Sequence, residues 1–387
     1  MLPRAGWDVT VFERAGAPLA GRGAGIVTHP PLVEALRRAG CASGGLGVAV
    51  PGRVVFGADG GVLTQCVLPQ VLTSWSRLYS LLNAVVPQGL IRRGWTLESY
   101  EQDGGGVEAR FVDGRRVRGD LLVGADGVRS AVRRQMHPGV RARYAGYLAW
   151  RGLVDEAALP VDTHAALFER FAFSLPENEQ MLGYPIAGED DDVRPGRRRY
   201  NFVWYRPADA AALADMMTDG TGRHHADGIP PGAIRPALVA GMRADGARLL
   251  GRQFADVVRH AAVPFVQPIL DLAVPGLVAG RVVLLGDAAF VARPHVGMGV
   301  TKAGEDAMAL ADALAGGGDM AGALAGYEAA RLSAGAAIVA RARALGLYME
   351  ATARASGAAA DNPHRTPEAV MAETACPPPV ARTPGPL

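Results

Sequence analysis

Residues 280–289 read Gly280-Arg281-Val282-Val283-Leu284-Leu285-Gly286-Asp287-Ala288-Ala289, and Arg293-Pro294-His295-Val296-Gly297-Met298-Gly299 follows shortly after. Four consecutive apolar residues, two of them β-branched, read as a strand buried on both faces, because a half-exposed strand would alternate. The strand breaks at glycine and delivers one carboxylate, Asp287, into a glycine-lined loop. From Gly297 to Leu314 the chain then passes from loop into a long Ala-rich stretch with helical spacing. Strand, glycine turn, acid and helix in that order predict an α/β unit that turns at its strand ends to meet a ligand.

Two other stretches carry the same grammar. Asp120-Leu121-Leu122-Val123-Gly124-Ala125-Asp126-Gly127-Val128-Arg129-Ser130 is an apolar strand that breaks into Gly-Ala-Asp-Gly and opens a helix. Gly124 and Gly127 allow close backbone approach, while Asp126 and Ser130 either satisfy amides at the turn or hydrogen-bond a ligand. Trp7-Asp8-Val9-Thr10-Val11-Phe12-Glu13 reads as a strand ending on an acid. Glu13 is either an ordinary exposed strand end or the acid that accepts ribose hydroxyls at the tip of a dinucleotide fold's second strand. In that fold the acid follows a GxGxxG loop by roughly 20 positions. The first strand and its glycine loop are therefore expected upstream of Met1, encoded ahead of the present start.

Composition limits the partners. The 387 residues carry a formal net charge of +2, with 49% hydrophobic and 20% charged residues, which points away from nucleic acid and anionic membranes and toward a small molecule. No apolar run approaches the roughly 18 residues that span a bilayer. Cys41, Cys66 and Cys376 share no metal-ligand spacing and leave one thiol over in any pairing, which fits a reducing cytoplasm. His224-His225 lacks a second cluster, so no metal is expected.

Along the chain, Gly21 to Ile26 is a glycine-rich turn, Pro31 to Ala39 a helix, Trp75 to Val86 a helix, and Gly106 to Phe111 with Arg116 to Val123 a hairpin around Asp113-Gly114. From Tyr144 to His260 short strand-like runs dominate, among them Ala165 to Phe173, Gln180 to Pro185 and Tyr200 to Tyr205. These readings give residues 1–143 as the first part of a nucleotide-type domain, 144–260 as an antiparallel substrate domain, and 261–345 as the return to the first domain. Residues 356–387, rich in Ala, Pro and Thr, are expected to be a disordered tail.

With Glu13, the Asp126-Gly127 turn and the Gly286-Asp287 turn in this order, and Tyr147-Leu148-Ala149-Trp150-Arg151-Gly152 between the last two, the sequence resembles the FAD-dependent aromatic hydroxylases of the para-hydroxybenzoate hydroxylase type over residues 1 to 345. Within that type it is most similar to the 2,6-dihydroxypyridine 3-monooxygenases. The resemblance implies a Rossmann-like FAD-binding domain, here without its first strand and glycine loop, interleaved with an antiparallel-sheet substrate domain. It implies a monooxygenase that uses NADH or NADPH and O2 to hydroxylate an aromatic or N-heteroaromatic, hydroxypyridine-like ring through a flavin hydroperoxide. It also leaves open a same-fold epoxidase, halogenase or oxidase, an inactive truncated remnant, and a homodimer as a candidate assembly. Carried onto this chain, it assigns cofactor contacts to Glu13, Arg14, Arg22, Gly25, Arg77, Asp126, Gly127, Gly286, Asp287, Pro294, Gly297, Gly299 and Val300. It gives the reacting end to His295, with His29 and Pro294 beside it; a histidine there can help a phenolic hydroxyl deprotonate.

Overall fold

The computed structural model describes residues 1–17, 25–42, 44–226, 228–316, 319–357, 359 and 361–377. Arg22 lies outside these residues. The buried-strand signal at 280–285 forms the strand Val282–Leu284, which pairs in parallel with Leu122–Gly124. All three of Val282, Val283 and Leu284 are fully buried, as a strand covered on both faces requires. The acid-tipped strand Val11–Glu13 pairs in parallel with Ile91–Arg93. Parallel strands need crossover connections, and here the crossovers are long enough to hold whole sheets.

One of those is a nine-stranded sheet that is antiparallel except for the pair Val48–Phe56 and Arg170–Ser174. Its strands Arg143–Asp155, Gln180–Ile186 and Arg199–Pro207 carry two cores, one on each face, because residues alternate across a strand. Leu148, Trp150, Phe202 and Trp204 face the helices Pro236–Leu249 and Arg252–His260. Tyr147, Ala149, Val203 and Tyr205 face the other way, toward the loop at 293–299 and the C-terminal segment.

Three sequence expectations change on contact with this fold. Gly25–Val27, Val48–Phe56 and Val62–Ser74, which fall inside the first 143 residues, are strands of the large sheet. The run Ala165 to Phe173 is the end of the helix Val161–Leu167 and then the strand Arg170–Ser174. Arg116 to Val123 splits: Arg116–Gly119 closes a three-stranded meander, whereas Leu122–Gly124 belongs to the parallel sheet.

A fourth correction concerns the expected disordered tail. The part of it that the structure describes carries a helix, Pro367–Glu373, capped by Thr366 Oγ1. Val370, Met371 and Ala375 are buried in the same core as Tyr147 and Tyr205. Composition underestimated the tail because its order comes from docking on a preformed surface and from a buried guanidinium, Arg53, that binds its carbonyls.

Candidate active site

Each of the three motif turns sits at the carboxyl end of a parallel strand, where open α/β sheets hold ligands. At the first, Glu13 Oε1 accepts from the Ala15 amide at 2.7 Å, and Arg14 is exposed beside it. At the second, Gly127 adopts φ 72°, and Asp126 Oδ2 accepts from the amides of Ala131 and Val132 at the start of the helix Ala131–Met136. Ser130 Oγ accepts from the Arg133 amide. Of the two roles open to Asp126 and Ser130, both side chains perform the capping one here.

The third turn is the most elaborate. Gly286 takes φ 62°, a left-handed value that suits glycine, and its amide donates to Asp306 Oδ2 at 2.9 Å. Asp306 is held in turn by Arg331 Nε at 2.7 Å. This network ties the turn to the helix Gly299–Ala315 and leaves the Asp287 carboxylate exposed, with Lys302 Nζ 3.6 Å behind it. Met298 at the head of that helix supplies no side-chain cap, so its first-turn amides are not closed off by the capping residue. A Cβ at Gly299 would meet nothing within 4 Å, so the helix start faces open space next to Val300.

A second group forms where the loop 293–299 crosses the large sheet. Arg293 anchors the loop through a bidentate pair with Asp271 at 3.0 and 2.7 Å, and through Glu350 at 2.7 Å. His29, at the head of the helix Pro30–Ala39, reaches the Gly297 carbonyl with Nε2 at 3.2 Å. Gly297 has φ 69° and lies against Ala375 of the C-terminal segment, where the Ala375 amide donates to the His295 carbonyl. Pro294 is half-buried at the edge of this loop. At the edge strand Gly25–Val27, the Gly25 amide donates to Asn201 Oδ1 at 3.0 Å.

His295 departs from its expected role as a proton acceptor. Its ring lies parallel to Tyr147 and edge-on to Tyr205, and Nε2 is within 3.2 Å of Tyr147 Oη and 3.1 Å of the Ala342 carbonyl. Complete burial pushes its pKa down to about 3, which disfavours the protonated ring near neutrality. Burial also lowers the pKa of His29. Burial favours the neutral form of both imidazoles.

The depressed His295 pKa has a measurable sign. An unfolded histidine binds its proton near 6.5, and the folded one near 3. Between those values the unfolded chain holds the extra proton, so stability that is intact above pH 6.5 is lost as pH falls toward 3. His295→Gln is expected to flatten the acid-side fall of the urea midpoint over that window; an equally steep fall would contradict this.

The sheet face under the loop carries groups that sequence reading missed. Arg151 lies in register with Val203, on the face that carries Tyr147 and Tyr205, and its guanidinium donates to Gln267 at 2.7 Å. Arg151 Nε and Asn201 Nδ2 are buried with no hydrogen-bond partner among the described residues. Tyr184 flanks them, paired in register with Asn201. Only the strand alternation within Tyr147-to-Gly152 hinted at Arg151, and nothing local hinted at Asn201.

Arg77 stands apart from both groups. It pairs with Asp191 at 3.4 Å near Gly45, and its Nε has no partner among the described residues. Among the described residues no cluster of three His, Cys, Asp or Glu is set to hold a metal ion, and no helix is long and apolar enough to cross a membrane.

The donor set suits a dinucleotide flavin: an acid at the first strand tip, an exposed carboxylate at the third, and an uncapped helix start with unpartnered Thr301 Oγ1 in its first turn. A family model described as FAD binding domain-like matches residues 144–271. The chain is 32% identical over 337 residues to a 2,6-dihydroxypyridine 3-monooxygenase of Paenarthrobacter nicotinovorans, covering 87% of this chain and 84% of that protein. It is 31% identical over 353 residues to a salicylate hydroxylase of Pseudomonas putida, covering 83% and 75%. The solved structure of 2,6-dihydroxypyridine-3-hydroxylase from Arthrobacter nicotinovorans superposes with a TM-score of 0.85 at 30% identity, over 91% of this chain and 88% of that one. Strand-end turns, an interleaved antiparallel sheet and these likenesses lead to one conclusion: the chain belongs to the FAD-dependent aromatic-ring monooxygenases, which take electrons from NAD(P)H.

Proposed function

We propose that the chain hydroxylates a small, planar, hydroxylated N-heteroaromatic ring, a dihydroxypyridine first, held between the large sheet and the loop 293–299. The observation that carries this reading is the pair of buried donors without acceptors, Arg151 Nε and Asn201 Nδ2, on an aromatic-lined sheet face. Unpaired buried donors are costly, and a ring bearing oxygen acceptors would satisfy them. The likeness to a 2,6-dihydroxypyridine 3-monooxygenase supports the same class.

In this reading Glu13 and Arg14 bind the adenosine ribose end of the cofactor, Gly127 permits its close approach, and Asp287 accepts from a hydroxyl of its ribityl chain. The open start of the helix Gly299–Ala315 would help to hold the cofactor, since the helix dipole favours negative charge there. FAD, when bound, supplies the redox chemistry that activates oxygen. The chain's own contribution is orientation: Arg151 favours the ring's anionic, oxygen-bearing form, and Tyr147, Tyr205 and Tyr184 exclude water.

The test is a panel of rings offered to the FAD-loaded chain with NAD(P)H and O2. Dihydroxypyridines are expected to accelerate NAD(P)H oxidation and yield a product one hydroxyl richer, ahead of hydroxybenzoates. Equal or greater turnover of a benzoate would displace the N-heteroaromatic assignment.

A further inference from the structure

Lys302 is a fully buried charged side chain. It occupies the first turn of the helix Gly299–Ala315 with 0% of its side chain exposed, and its Nζ has no hydrogen-bond partner among the described residues. A buried lysine without hydrogen bonds is expensive, so something must compensate it. The nearest acid is Asp287, whose Oδ1 is 3.6 Å away and whose carboxylate is 53% exposed on the far side.

The other acids nearby are already matched. Asp306 takes the Gly286 amide and Arg331 Nε, and Glu305 takes Arg331 at 3.1 Å. Arg331 thus serves two carboxylates, and among the described residues Lys302 is the cation paired with Asp287. A dinucleotide flavin brings a further negative diphosphate, so a bare carboxylate at position 287 would disfavour it.

We propose that Lys302 is a positioning residue whose buried ammonium offsets the charge of Asp287 and restrains that carboxylate at the turn, where its exposed side can accept from the FAD ribityl chain. The proposal rests on the reading of Asp287 as a cofactor contact. Burial of Lys302 strengthens the attraction, since the pair is screened by solvent on one side only. With Lys302 removed, Asp287 swings into solvent and its negative charge opposes both the diphosphate and reduction of the ring.

The experiment is a titration of the full chain with FAD, followed by flavin absorbance, for Lys302→Met, Asp287→Asn and the double variant, with the melting temperature of each cofactor-free protein. Lys302→Met is expected to weaken FAD binding roughly tenfold, and the double variant to bind no worse than Asp287→Asn, because the two residues act as a unit. The bound flavin's midpoint potential moves negative in Lys302→Met, a shift that a merely structural lysine would not cause. The cofactor-free Lys302→Met protein melts no lower than the parent, since an unbonded buried amine is replaced by an apolar stem. Unchanged affinity in Lys302→Met with weakened binding in Asp287→Asn overturns the Lys302 proposal alone. Unchanged affinity in Asp287→Asn overturns the underlying reading of Asp287 and the proposal with it. Additive losses in the double variant also overturn the proposal.

Discussion

Arg53→Met is expected to lower the stability of the fold by roughly 2–5 kcal/mol, the scale for leaving two or more buried acceptors without their donor. Arg53 sits in the middle of the strand Val48–Phe56 with 0% exposure. Its Nη1 donates to the carbonyls of Met371 and Thr374 at 2.6 and 2.7 Å, and its Nε and Nη2 donate to Gln70 Oε1 at 2.9 and 2.6 Å. Its guanidinium also lies 4.7 Å from the ring centroid of Phe171. Methionine has similar length but no donors, so two carbonyls would be left unpartnered against an apolar core. The urea midpoint of the variant should fall sharply, and protease should cut first between residues 361 and 377. An unchanged midpoint would mean that the C-terminal segment is not fastened in this way.

Arg151→Met is expected to lower kcat/KM for the preferred ring by roughly a hundredfold, the loss for one charge-assisted hydrogen bond in a buried site. Flavin content should stay at the parent level, because Arg151 contacts Gln267 and the Phe265 ring and not the strand-end turns. Steady-state kinetics on FAD-loaded protein separates the two possibilities. Parent kinetics would remove Arg151 from the ring-binding face, and loss of flavin would show that it supports the cofactor instead.

The parts of this molecule legible in the sequence are those governed by local chemistry. The turns at Asp126-Gly127 and Gly286-Asp287 could be read because a glycine with positive φ and a carboxylate at a strand end leave a short signature. The helix Trp75–Val85, capped by Ser74, and the helix Gly299–Ala315 followed from apolar spacing. Long-range pairing was not legible: Val48–Phe56 joins Arg170–Ser174 in parallel across more than a hundred residues, and no local pattern encodes that choice.

The candidate site divides along the same line. Asp287 was visible from its turn, but nothing local marked Lys302 behind it, because its burial depends on how the helix packs. His295 lay in the right loop, yet its protonation depended on burial by Tyr147, Tyr205 and Ala342, which come from distant segments. Arg151 and Asn201 share a face through the register of their strands, so their partnership appears only once the sheet is assembled. The tail shows the opposite error: its composition argued for disorder, and its docking on Arg53 was decided by residues more than three hundred positions away.

As an FAD-dependent aromatic-ring monooxygenase, this chain binds FAD and places an oxygen atom on an aromatic ring. The most direct measurement is to load the purified chain with FAD, supply NAD(P)H, a dihydroxypyridine and isotopically labelled O2, and record both the flavin spectrum and the mass of the product. The account predicts yellow protein and a product carrying a single labelled oxygen atom. Colourless protein after FAD loading, or a product without label, would contradict it.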